Sequence, residues 1–272
     1  DEYAEARTIT PVTVEGQEWF KTRVQFNRGT DEGLYGLGQH QNRQMNYNGE
    51  DVELAQHNMA IAVPYLASTR GYGILWDNAS ITRVGDPDPY EKLRSDWDAK
   101  YYLGDRLVVE RPEQTIDYHY LSDQARWPEE AKAAVEAATS GQNTQGNAIE
   151  KQRVEWTGDV TMAEGGTYKF RLYSSSYVKV FADDELVLDR WRQNWNPWYH
   201  NFDLDFESGE TKTLRIEWEP NQGYIALEYA DPLPAEDRHS VSFASDAGKA
   251  IDYYVVPAPT LDDAVAGYRR LT

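Results

Sequence analysis

Tyr168-Lys169-Phe170-Arg171-Leu172 sets apolar side chains at every second position, the spacing of a strand with one face on a core and the other toward water. The same alternation returns at residues 178–181 and 186–188, in Leu214-Arg215-Ile216-Glu217-Trp218, and at 224–229. Turn chemistry separates these runs, at Gly165-Gly166, Asp183-Asp184, Ser208-Gly209 and Asn221-Gln222-Gly223. Strands this short, at this spacing, predict a β-sandwich or barrel in the second half of the chain. Toward the amino end the pattern continues through Val24-Gln25-Phe26, 60–63 and 72–76, and toward the carboxyl end through 241–243 and 253–256. The fold class is therefore all-β. One short helix interrupts it: Trp127-Pro128-Glu129-Glu130 opens an alanine-rich stretch in which Ala131, Val135 and Ala138 share a face, and Gly141 closes it. At the end of the chain Leu261, Val265, Tyr268 and Leu271 also lie at helical spacing.

The 272 residues are enough for one large domain or two ordinary ones. A strand-rich beginning and end flank a self-contained β module, which suggests an insertion whose flanks pair in one split sandwich. Aromatic residues make up 13% of the chain, with 9 Trp and 19 Tyr, more than packing alone requires, and such rings favour strands and ligand-binding faces. The net charge of -19 repels a polyanion, so nucleic acid is excluded as a partner and a neutral or cationic one is expected. No stretch approaches the roughly 18 apolar residues that cross a bilayer. There is no cysteine, so disulfides and thiolate chemistry are excluded.

The densest constellation is Asp189-Arg190-Trp191-Arg192-Gln193-Asn194-Trp195-Asn196-Pro197-Trp198-Tyr199-His200-Asn201. Sugars pack their C–H faces on indole and phenol rings, while amides and guanidinium groups fix hydroxyls. Pro197 marks a loop, which puts Trp195, Trp198 and Tyr199, with Asn194, where binding residues usually sit. Trp191 is expected in the core, as a continuation of the Leu186 and Leu188 alternation. A second candidate joins Gln39-His40-Gln41-Asn42 to Gln56-His57-Asn58, with His57 and Asn58 the preferred pair against a plainer role in loop capping. Asp86-Pro87-Asp88-Pro89 reads first as a turn, and no residue is assigned a catalytic role. The histidines at 40, 57, 119, 200 and 239 show no ligand spacing, and no phosphate-binding glycine motif occurs, so neither metal nor cofactor is expected.

Leu34-Tyr35-Gly36-Leu37-Gly38-Gln39-His40-Gln41, Ile61-Ala62-Val63-Pro64-Tyr65, Gly71-Tyr72-Gly73-Ile74-Leu75-Trp76-Asp77-Asn78, Ala250-Ile251-Asp252-Tyr253-Tyr254 and Ala266-Gly267-Tyr268-Arg269-Arg270-Leu271-Thr272 together resemble glycoside hydrolase family 31. The likeness is to its α-xylosidase branch, in which Gln39-His40-Gln41 stands where many α-glucosidases carry a glutamate. It implies the amino-terminal β-sandwich that precedes a catalytic (β/α)₈ barrel. The last residues then look like the helix leading into that barrel, and the chain is expected to be part of a longer polypeptide. Ala99-Lys100-Tyr101-Tyr102, Val154-Glu155-Trp156-Thr157-Gly158, Gly165-Gly166-Thr167-Tyr168-Lys169-Phe170 and the run from Phe181 through Asp189 resemble the protective-antigen-type β-sandwich. The resemblances set the split sandwich at 1–95 with 233–272 and the inserted one at 96–232. Calcium-binding relatives of that module carry adjacent aspartates where this chain has Ser174-Ser175-Ser176-Tyr177, which argues against calcium.

What the resemblance implies is an accessory, carbohydrate-contacting region of a retaining α-xylosidase acting on xyloglucan oligosaccharides, its partner the barrel of the same polypeptide. The family's two catalytic carboxylates lie on that barrel, so the chain by itself is expected to be inactive. The second polar candidate would then face the barrel mouth. The substrate class implies a periplasmic or extracellular setting. Open alternatives are a stand-alone carbohydrate-binding or adhesive module, a region of an α-glucosidase, and a module that only rigidifies or dimerises its parent.

Overall fold

Alternating side chains become paired strands in the structure, a computed structural model that describes residues 6–40, 44–56, 60–85, 90–118, 127–139, 152–191, 197–220, 223–232 and 239–272. The chain runs through β1 (Arg7–Val14), β2 (Gln17–Asn27), β3 (Leu34–Gln39), β4 (Val52–Leu54), β5 (Ile61–Ser68), β6 (Tyr72–Trp76) and β7 (Thr82–Gly85). It continues as β8 (Glu91–Lys92), β9 (Arg94–Leu103), β10 (Arg106–Thr115), β11 (Asp117–Tyr118), the helix α1 (Glu129–Thr139), β12 (Gln152–Thr161), β13 (Gly166–Ser174), β14 (Tyr177–Ala182) and β15 (Glu185–Arg190). The remaining elements are β16 (Trp198–Phe206), β17 (Thr211–Glu219), β18 (Ile225–Ala230), β19 (Ser240–Gly248), β20 (Tyr253–Pro257) and α2 (Leu261–Leu271). The contacts divide into two units, Asp1–Asp88 with Leu233–Thr272, and Pro89–Pro232. The first cut falls before the expected residue 95. Residues 91 and 92 pair with β18, and the Leu93 amide donates to the Leu227 carbonyl at 3.1 Å, so this stretch is held by the second unit.

In the first unit, one sheet has the order β1-β2-β19-β7-β4 and the other β20-β6-β5-β3. Trp76 is fully buried, stacks on Phe243 and Tyr253 at 5.6 and 6.2 Å, and donates its indole N–H to Ser245 Oγ at 2.8 Å. The Gly36-Leu37-Gly38 signature has a backbone explanation. All three residues have positive φ, at 110, 61 and 106°, where the register between β3 and β5 shifts. A Cβ at Gly38 would collide with the Ile61 carbonyl oxygen, so only glycine fits the bulge. The helix α2 starts with a capping box between Thr260 and Asp263 and buries Ala264 and Gly267. Tyr65 donates its hydroxyl to the Ala264 carbonyl at 2.7 Å, and a side chain at Gly267 would run into Val256. Small residues thus seat the helix, and Leu261, Val265 and Leu271 face outward.

The second unit holds a six-stranded sheet, β10-β9-β12-β17-β14-β15, and a second sheet ordered β11-β18-β13-β16, to which β8 adds on β18. Asp183 and Asp184, at φ 48 and 67°, make the two-residue turn between β14 and β15. The core is built on Trp97, Trp156, Trp218, Phe170 and Leu172, so much of the aromatic surplus is packing. A polar island lies beside it. Glu113 Oε1 accepts from Tyr101 and Tyr118 at 2.6 and 2.9 Å and from Arg111 Nε at 2.8 Å, while Oε2 accepts from the Trp156 indole at 2.8 Å. Burial first, then the neighbouring Glu113 carboxylate, pushes the Tyr118 phenol up to about 12, and burial, then Tyr118 and Glu113, raise that of Tyr101. Along α1, Ala131 is buried and Val135 half-buried, but Ala138 is exposed, so the apolar face is shorter than its spacing suggests.

Candidate functional site

Period 2 along β13 points Tyr168, Phe170 and Leu172 into the core and leaves Arg171 and Tyr173 on the other face. Across the ladder, Arg171 pairs with Glu228 of β18 and Tyr173 with Tyr199 of β16. Arg171 is 5% exposed, and its guanidinium donates to Glu228 Oε2 at 3.0 and 2.6 Å. It also lies between two rings, 4.0 Å from the centre of Tyr90 and 4.5 Å from that of Tyr199. Lys92 reaches Glu228 Oε1 and Asp117 Oδ1, both at 3.1 Å. Tyr173 packs on Tyr199 at 4.8 Å and meets Tyr224 edge-on at 6.2 Å. The half-buried rings of Tyr90, Tyr173, Tyr199 and Tyr224 therefore form a phenolic surface on a rigid ion-paired base.

Burial disfavours the charged forms here, but the pairing wins on both sides. Desolvation opposes ionisation of Glu228, and Arg171 and Lys92 overcome it, so the carboxyl stays below its ordinary value. Burial likewise works against charged Arg171, and Glu228 more than offsets it, so its pKa is raised. The charges of Arg171, Lys92, Glu228 and Asp117 cancel. The patch is made of half-buried phenol rings and their hydroxyls, with Asn201 opposite Arg171 in the ladder, its Oδ1 buried and without a hydrogen-bond partner among the described residues. Such a surface suits a neutral polyhydroxylated ligand better than an ion.

Of the residues singled out from sequence, Tyr199 joins this face. Trp198 does not: it is the first residue of β16, 4% exposed, and points inward with His200 and Phe202. Pro197 precedes the strand and does not hold a loop open at Trp198, which corrects the expectation of an accessible ring there. Trp191 is corrected in the opposite sense. It lies an odd number of positions beyond Leu188, just past the end of β15, and is 36% exposed against Tyr177 at 5.7 Å and Lys179 at 5.3 Å. Asn194 and Trp195 lie outside the described residues, as do His57, Asn58 and Asp86 through Pro89. Gln56, next to the second candidate, spans its loop: its amide donates to the Ala60 carbonyl at 2.8 Å and accepts from the Ala62 amide at 3.3 Å. Sequence reasoning missed Arg171, Tyr173, Tyr90, Tyr224 and Glu228. The outward positions of the very strand that signals the fold, Arg171 and Tyr173, were the available clue.

In the serine loop, Ser175 accepts the Trp218 indole on its carbonyl at 3.0 Å and the Tyr224 amide on its hydroxyl at 2.8 Å. Among the described residues no three His, Cys, Asp or Glu side chains are grouped to hold a metal ion.

The PA14 domain family matches residues 118–217, inside the second unit. Across 98% of its length the chain is 42% identical to the family 31 α-xylosidase of Xanthomonas citri, whose crystal structure superposes with a TM-score of 0.82. Over nearly its whole length the chain is thus similar to part of a glycoside hydrolase family 31 enzyme. The likeness runs through both units, so the insertion is common to this chain and the Xanthomonas enzyme. An α-xylosidase of Saccharolobus solfataricus is 35% identical over 74 residues, covering 24% of this chain and 10% of that protein. An uncharacterized family 31 glucosidase of Pseudescherichia vulneris is 29% identical over 106 residues, covering 36% of this chain and 19% of that protein. The chain spans 29% of the Xanthomonas enzyme.

Proposed function

We propose that the chain is the amino-terminal region of a retaining α-xylosidase that releases xylose from xyloglucan oligosaccharides, with the tyrosine face of the second unit contacting the sugar chain beyond the reacting residue. The observation that carries this reading is the likeness through both units, insertion included, to a protein described as an α-xylosidase. The outward apolar residues of α2, Leu261, Val265 and Leu271, support attachment to a (β/α)₈ barrel in the same polypeptide. Hydrolysis would proceed on that barrel through a glycosyl-enzyme intermediate between two carboxylates. The substrate class goes with work outside the cytoplasm, in the periplasm or at the cell envelope.

The test is the full-length polypeptide assayed on a xyloglucan heptasaccharide, an aryl α-xyloside and a malto-oligosaccharide. Xylose release from the first two with little glucose from the third is expected. Tyr199→Ala should raise KM for the heptasaccharide about tenfold and spare the aryl xyloside, since one aromatic contact is worth about 1 kcal/mol beyond its buried area. Unchanged KM would remove the tyrosine face from the substrate path. The glucosidase name of the Pseudescherichia relative favours one second reading, an α-glucosidase region, and dominant glucose release would establish it.

A further inference from the structure

An open cleft of about 490 Å³ lies in the first unit, bounded by Val14, Trp19, Asp77, Asn78, Lys249 and Asp252. That size is within the roughly 300–1,000 Å³ of small-molecule sites. Its walls come from the end of the β1–β2 hairpin, the connection from β6 to β7, and the segment between β19 and β20. Backbone and side-chain bonds knit these together. The Asp77 amide donates to the Asp252 carbonyl at 3.0 Å, and the Ala247 amide to Ser80 Oγ at 3.2 Å. Asn78 Oδ1 accepts from the Ser80 amide at 2.9 Å, which turns the loop and leaves the side-chain NH₂ as a donor. Lys249 is pinned in place, its ammonium 3.8 Å from the centre of the Trp19 ring and donating to the Glu18 carbonyl at 2.8 Å.

The cleft therefore combines a half-buried indole and an exposed valine with donors on Lys249 and Asn78 and exposed carboxylates on Asp77 and Asp252. Each ligand class meets a different obstacle. An anion is repelled by two carboxylates, a hard cation finds an ammonium among too few oxygens, and a wholly apolar compound would strip water from the charged rim. A polyhydroxylated neutral molecule meets none of these, because its hydroxyls can donate to the carboxylates and accept from the ammonium while its C–H face lies on apolar wall. We propose that this cleft is a second carbohydrate site, for a short neutral oligosaccharide, separate from the tyrosine face and independent of which sugar the parent enzyme cleaves.

The experiment follows the tryptophan indole N–H signals of the 272-residue chain by NMR, with the Trp19 signal assigned by its loss in Trp19→Phe. Xyloglucan heptasaccharide is the neutral probe and an oligogalacturonate the anionic one. The Trp19 signal should shift saturably with the heptasaccharide alone. The pair Asp77→Asn with Asp252→Asn, both surface changes, should weaken that response about tenfold, and Tyr199→Ala should leave it intact. A motionless Trp19 signal, an equal response to the anion, or unchanged affinity in the paired variant would overturn the proposal.

Discussion

Single side chains in the second unit decide its stability more than its surface does. Glu113 takes hydrogen bonds from Tyr101, Tyr118, Arg111 and Trp156, so Glu113→Ala leaves a set of donors with no common acceptor. A loss of about 3 kcal/mol is expected in urea unfolding. The same island sets an alkaline limit. The folded Tyr118 pKa, about 12, lies above the ordinary 10.0, so its contribution is whole below the ordinary value and is lost as pH rises through the folded one. An absorbance titration should show a late tyrosine, and Glu113→Ala should bring it earlier. Glu228 behaves in the opposite sense: its depressed pKa gives stability that is complete above the ordinary 4.5 and lost as pH falls through the folded value. Thermal melts from pH 7 downward should separate wild type from Glu228→Gln until the carboxylate protonates, after which the two converge. Identity alone did not reveal these roles. Glu113 looks like any strand glutamate, and only its register opposite Trp97 brings it into the core.

At the scale of elements, the strands and turns were legible because period 2 and paired turn residues are local. What lies on which face was less so. A register shift between Val180 and Phe181 breaks the β14–β15 ladder, which leaves Leu186 exposed although Leu188, two positions on, is buried. Trp191 is misplaced for a simpler reason: three positions beyond Leu188, it falls on the opposite phase of the alternation. The helix α2 shows the same limit: its aliphatic residues Leu261, Val265 and Leu271 face outward, while the inward side takes Ala264, Gly267 and the half-buried Tyr268, which packs on Tyr65 at 4.9 Å. Replacing Leu261, Val265 and Leu271 together by polar residues should change the chain's own unfolding free energy little, within about 0.5 kcal/mol per site, while loosening attachment in the full-length polypeptide. Differential scanning calorimetry of both forms would read the contrast. In β3, Gly38→Ala should be costly where these are mild, because it needs a positive φ and meets the Ile61 carbonyl.

For the whole molecule, the sequence carried the all-β class and the insertion, through an ordered set of family-like segments and a self-contained run of strands between them. It did not carry the cleft beside Trp19, whose walls are separated by more than two hundred positions along the chain. The second unit lies wholly between residues 89 and 232, whereas the first cannot complete its larger sheet until β19 arrives to lie between β2 and β7. A ribosome emits these pieces in order. The interior unit can therefore mature while β2 and β7 still wait with unsatisfied edges, and the outer sandwich is the one exposed to chaperones and to mispairing during synthesis.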